Sequence, residues 1–117
     1  MQFMIVINTD EKAQAKATVE QNKEMMAAYF KYTAELKSAG VMLAGEGLES
    51  TASGARISFK EGHRVVTDGP FSEAKEVVGG FYLIDVKSRE EAIEWAAKCP
   101  GAKLASVEVR SVMTYPK

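Results

Sequence analysis

Asp68, Glu73, Lys75 and Glu76 crowd ionisable side chains into one short stretch, VVTDGPFSEAKEVVGGF, around an Asp-Gly-Pro turn. Carboxylates so placed can do general acid–base work when burial or a neighbouring charge moves a pKa toward neutrality. Asp68 is the candidate base or acid and Glu73 the candidate second acid, with Lys75 as an anchor for substrate. Tyr29 supplies a hydrogen-bond donor from a helical segment upstream, and Phe71 and Arg56 complete the candidate substrate contacts. A plainer account covers part of the same stretch. Gly69 before Pro70 is held to turn or extended geometry, Pro70 has no N–H, and Asp68 can accept bonds from nearby backbone N–H groups. Turn chemistry explains Asp-Gly-Pro but gives no reason for the aromatic and charges of FSEAKE. On the residues alone, site and scaffold both stand.

The remaining reactive residues read as structure. His63 is the only histidine and falls in the turn KEGHRVV, a surface position, whereas catalysis needs a partner and a cleft. Cys99, the only cysteine, lies on the apolar stripe of a helix and behaves as a small hydrophobe. The methionines, Met25 and Met26 among them, are core fillers. A metal would have to rest on Asp68, Glu73 and Glu76, whose spacing matches no established cation loop, so neither metal nor cofactor is expected.

Composition narrows the partners. With 15 basic and 16 acidic residues the chain carries net −1, which excludes nucleic acid as the main partner. A lone cysteine forms no disulfide framework, and no segment approaches the ~18 apolar residues of a membrane span. MQFMIVINTDEK reads as a first strand and not as a signal peptide. A cytoplasmic protein away from the membrane is the expectation. The length of 117 residues suits one domain, 1–117, with a core of its own.

The elements that must position these residues follow from periodicity. Gln2–Ile7 predicts a strand, and residues 11–24 a solvated loop or helix start. Met26, Tyr29, Phe30, Thr33 and Leu36 predict one helical face up to Ser38, stopped by Gly40. VMLAGEGLES predicts a brief extended piece and then a glycine loop through Gly45 and Gly47. ARISFKEGHRVVTD predicts a hairpin turning at Glu61-Gly62. Residues 80–86 predict a strand with faces Phe81/Leu83/Asp85 and Tyr82/Ile84/Val86. Ser88 and Glu91 form a capping-box signature before a stripe of Ala92, Trp95, Ala96 and Cys99, and Ser106–Thr114 predicts the last strand. The order β-α-(loop)-β-β-β-α-β reduces to a ferredoxin-like α+β subunit when the hairpin is set aside. Its antiparallel sheet has helices on one face only, so the other face invites a homodimer. The charges of Arg56, Glu108 and Arg110 would then lie in or near that interface.

The stretch Val65–Pro100 also resembles the YCII-related proteins, in the branch with an Asp-Gly-Pro-Phe motif. Asp68, Gly69, Pro70, Phe71, Glu73, Lys75, Glu76, Gly79, Gly80, Ser88 and Trp95 carry the resemblance, and AELKSAGVMLAGEGL and VEVRSV extend it over nearly the whole chain. It implies a ferredoxin-like subunit paired into a dimeric α/β barrel. It also implies a His–Asp pair in a cleft, with Asp68 as the acid, and one relative is associated with removing chloride from a chlorinated aromatic. This chain departs from that pattern, since NKEMMAAYFKYTAELKSAG holds no histidine on the first helix. Other members resemble accessory proteins found beside extracytoplasmic-function sigma factors. Two functions follow: a cofactor-independent small-molecule binder with acid–base, lyase-like chemistry near Asp68, or a non-catalytic accessory or regulatory module.

Overall fold

A computed structural model describes residues 1–116. The chain runs β1 (Gln2–Thr9), α1 (Glu11–Ala15), α2 (Val19–Ser38), β2 (Met42–Gly47), a single 3-10 turn (Thr51–Ser53), β3 (Ala55–Lys60), β4 (His63–Asp68), β5 (Val77–Asp85), α3 (Arg89–Lys98), α4 (Gly101–Leu104) and β6 (Ser106–Ser111). Four strands form one antiparallel sheet in the order β2-β5-β1-β6, and β3 pairs only with β4. With the hairpin set aside, this is the ferredoxin-like split β-α-β order, an α+β fold as the periodicity predicts.

Alternation along the central strands decides what is buried. Phe3, Ile5 and Ile7 of β1 and Tyr82 and Ile84 of β5 point to the helices and are buried. They meet Tyr32 and Leu36 of α2, and Ala92, Ala96 and Cys99 at α3, in one core. The opposite sheet face has no helix over it. Met4 and Val6 sit there beside Leu83 and Phe81, with Glu108 and Arg110 of β6 across from them.

Several local expectations hold. Gly40 ends α2 with φ of 72°, and Glu61 (φ 51°) and Gly62 (φ 79°) make the hairpin turn, both positive as a two-residue turn of this hand requires. The Ser88 hydroxyl accepts from the N–H of Glu91 at 3.1 Å, and Glu91 reaches back to the N–H of Lys87 at 3.2 Å. Three expectations need correction. The glycine loop at Gly45 and Gly47 is part of β2, because pairing with β5 overrides the weak strand preference of glycine. The buried face of α2 is turned by one residue: Met25, Ala28, Tyr29, Tyr32 and Leu36 face inward, while Met26 and Phe30 are 60% and 69% exposed. The helix starts at Val19, within the helix start that residues 11–24 allow, at the capping box of Thr18 and Gln21. The last strand stops at Ser111, opposite Phe3, and one further bond, from the Val112 N–H to the Gln2 carbonyl at 3.0 Å, closes it where β1 begins.

The hairpin β3–β4 stands away from this body. Every one of its strand residues is exposed, and the radius of gyration is 16.2 Å, against about 13 Å for a compact chain of this length. We call it the arm. No helix among the described residues is long and apolar enough to cross a membrane.

Candidate functional site

Two adjoining hollows lie where the middle of α2 passes the β2–β5 side of the sheet. The first, of about 340 Å³, is walled by Tyr29, Phe30 and Thr33 of α2, by Tyr82, and by the bare backbone of Gly45, Gly47 and Gly79. The second, of about 420 Å³, lies between α1 and the turn leading to the arm, with Glu11, Glu49 and Ser50 at its wall. They share Thr9, Gln14 and Gly79 and form one cleft.

Hydroxyl groups dominate the first hollow. The Tyr82 and Thr33 hydroxyls share a hydrogen bond of 2.7 Å. Tyr29 is placed by close packing on α4: a methyl group on Gly101 would come within 2.6 Å of the Tyr29 oxygen, so only glycine leaves room for the phenol there. Burial, and then the neighbouring Cys99, push the Tyr29 pKa well above that of a free phenol, so the group stays protonated. Its one side-chain partner is the Cys99 thiol, 3.9 Å away. Burial raises the Tyr82 and Cys99 pKa values too. These neutral hydroxyls would orient a guest by hydrogen bonds, while the acidic residues of the cleft lining are Glu46 in the first hollow and Glu11 and Glu49 in the second.

The Asp-Gly-Pro-Phe loop braces the second hollow from outside. The Gly69 N–H donates to the Gly54 carbonyl at 2.9 Å, across the root of the arm. Thr51 lies between: its hydroxyl accepts from the Phe71 N–H at 3.2 Å, while its own N–H (2.7 Å) and hydroxyl donate to the Glu11 carboxylate. These bonds, the Thr51 hydroxyl first, hold the Glu11 pKa below its ordinary value. Glu11 and Thr51 were not singled out by sequence reasoning. Their partners lie 40 residues apart, and only the fold joins them.

The other candidate residues gather on the arm's root. The Arg56 guanidinium lies 4.1 Å from the centre of the Phe71 ring and 3.2 Å from the Glu73 carboxylate. The Glu73 pKa is lowered by its own backbone N–H and then by Arg56. Arg56 and Glu73 are exposed and Phe71 is half-buried, and an ion pair so open to water adds little to stability. Asp68 and Lys75 are exposed, and neither side chain has a hydrogen bond or ion pair among the described residues. Of the candidates named from sequence, Tyr29 alone lines the cleft; Arg56, Phe71 and Glu73 meet one another, and the Asp68 and Lys75 side chains have no polar partner among the described residues. His63 is exposed at the arm's tip, and Cys99 is buried at the end of α3.

An uncharacterized protein of Rhizobium meliloti (strain 1021) is 30% identical over 117 residues, covering 98% of this chain and 94% of the relative. The sequence pattern of the YCII-related domain matches residues 1–116. The chain belongs to the YCII-related family.

Proposed function

We propose that this chain binds a small molecule in the cleft between α2 and the β2–β5 side of the sheet, and works as a homodimer built on the helix-free sheet face, as a dimeric α/β barrel. Tyr29 carries the reading. Its phenol is held protonated at the wall of the cleft, and its O–H proton has no oxygen or nitrogen acceptor among the described residues. An idle donor at the edge of a hollow is the equipment of a binding site, since specificity in such sites comes from a few placed polar groups. Chemistry on the guest would be cofactor-independent acid–base work. Asp68 or Glu73 would have to reach it from a second subunit, because neither lines the cleft of its own.

A specific observation favours a second reading, a non-catalytic accessory or regulatory module. Asp68 is exposed and its side chain has no hydrogen bond or ion pair among the described residues, and the arm exposes Ile57, Phe59 and Val66 away from the cleft lining. A nuclear magnetic resonance titration with a panel of small aromatic and carboxylic acids separates the two. Amide shifts at Gly45, Gly47 and Gly79 that vanish in Tyr29→Phe support cleft binding. A panel that moves no cleft resonance sinks it and leaves the accessory reading.

A further inference from the structure

Gly47 is a glycine for which the chain itself supplies no reason. There are nine glycines in all. Two, Gly40 and Gly62, take the left-handed backbone that favours glycine. At six more, Gly45, Gly54, Gly69, Gly79, Gly80 and Gly101, a methyl group would come within 3.3 Å of another atom, closer than carbon atoms pack comfortably. Gly47 has neither constraint. Its φ is not positive, and a methyl group built on it meets nothing within 4 Å. Glycine in a strand forgoes side-chain packing and costs conformational entropy, so the fold gains nothing by it here.

Alternation says where the missing side chain would go. Gly47 lies opposite Gly80, and Gly45 opposite Tyr82, in the pairing of β2 with β5. Both therefore face the side of the sheet on which Tyr82 is buried against Tyr32 of α2. Gly47 also lines the first hollow, together with Tyr29, Thr33 and Tyr82. A carbon added there would stand in the cleft. A glycine inside a strand marks a bulge, a tight bend, or a place where another backbone or a ligand comes close. The irregularity of β2 lies farther back, between Met42 and Ala44, and no backbone approaches the bare side of Gly47. A ligand is the account that is left.

We propose that Gly47 is a specificity-determining residue: a guest in the cleft packs directly on the β2 backbone there, in the space that any other residue would fill with its side chain. The proposal rests on the cleft-binding reading above and names the position that sets how bulky a guest the first hollow accepts. Gly45, two residues back on the same face, is the contrast. A methyl group there would press on the Tyr82 ring at 2.7 Å, so its bareness serves the packing of the sheet and not a guest.

Melting curves of the full chain and its variants, with magnetic resonance titrations against the same panel of acids, benzoate, salicylate and cinnamate among them, test this. Gly47→Ala should melt about 2–5 °C above the parent, as Gly→Ala does where the backbone already suits alanine. Gly47→Val should melt no lower than the parent, since a strand accepts a β-branched residue readily. Gly45→Ala should melt lower. An acid that moves the Gly45 and Gly79 amides of the parent should bind Gly47→Val at least about 10-fold more weakly, with Gly47→Ala in between. A Gly47→Ala protein that melts below the parent overturns the proposal, because the glycine then serves the fold. Equal affinity of the parent and Gly47→Val for such an acid overturns it as well and leaves cleft binding standing. A parent in which no acid of the panel moves those amides ends the cleft reading, and this one with it.

Discussion

Gly69 stands with its α-carbon against the Thr51 carbonyl, so close that a methyl group there would lie 1.7 Å from the oxygen. The obstacle is backbone on both sides, pinned by the Gly69–Gly54 hydrogen bond, and no side chain can swing away. Gly69→Ala should therefore cost at least the upper end of the ~1–3 kcal/mol typical of overpacking. A urea midpoint that falls with an unchanged slope would agree; a loss under about 0.5 kcal/mol would mean that the arm's root is loose in solution.

Glu11 predicts a response to acid. Its folded pKa lies below the ordinary 4.5 because the carboxylate accepts two bonds from Thr51. Folding therefore favours the ionised form. The contribution is complete above pH of about 4.5 and disappears as pH falls through the lowered folded value. Glu11→Gln should flatten this part of the stability profile between about pH 5 and 3. A profile with the parent's slope would count against the contact.

Tyr29→Phe should leave folding within about 1 kcal/mol of the parent, because its hydroxyl has only the thiol as side-chain partner. Affinity for any cleft ligand should fall about 5- to 20-fold, the loss of one hydrogen bond in a sheltered site. Calorimetry on both proteins measures it, and equal affinities would place the guest elsewhere.

Asp68→Asn separates catalysis from architecture. The carboxylate is exposed and unpaired, so the melting temperature should move by no more than a surface substitution moves it, about 0.5 kcal/mol in stability. Lost turnover with unchanged melting would make Asp68 a reacting group. A large fall in stability would show that it braces the turn in the assembled protein.

Cys99 should resist thiol reagents in the native protein. It is 1% exposed, and burial raises its pKa, so thiolate is scarce at pH 8 and access is blocked. Labelling should keep pace with unfolding in denaturant; fast labelling of native protein would contradict the packing of α3 on the sheet.

What could be read from the sequence was local. Gly40, the Glu61-Gly62 turn and the Ser88 cap depend on neighbours within a few residues, and each falls where expected. The face of α2 was missed by one residue because Tyr32 looks no more apolar than Phe30. What buries it is tertiary, an edge-on contact with Tyr82 and a 2.8 Å bond from its hydroxyl to the Trp95 carbonyl. Strand β2 was hidden for a similar reason, since Gly45 and Gly47 belong to a strand only once β5 lies beside them. FSEAKE now has a partial account. Phe71 and Glu73 receive the Arg56 guanidinium and tie the loop to the arm, and the Glu76 carboxylate accepts from the Ser106 hydroxyl at 3.2 Å. Lys75 has no such explanation.

Glu11, Thr51 and Phe71 belong to a single run of hydrogen bonds that ties the wall of the cleft to the root of the arm. A guest that steadied Glu11 would steady that root, and a root already held would present a steadier wall to the guest. Thermodynamic reciprocity would set the two effects equal, since linkage between two sites has one coupling free energy whichever is filled first. The hairpin is in this way the part of the molecule from which occupancy of the cleft would be read.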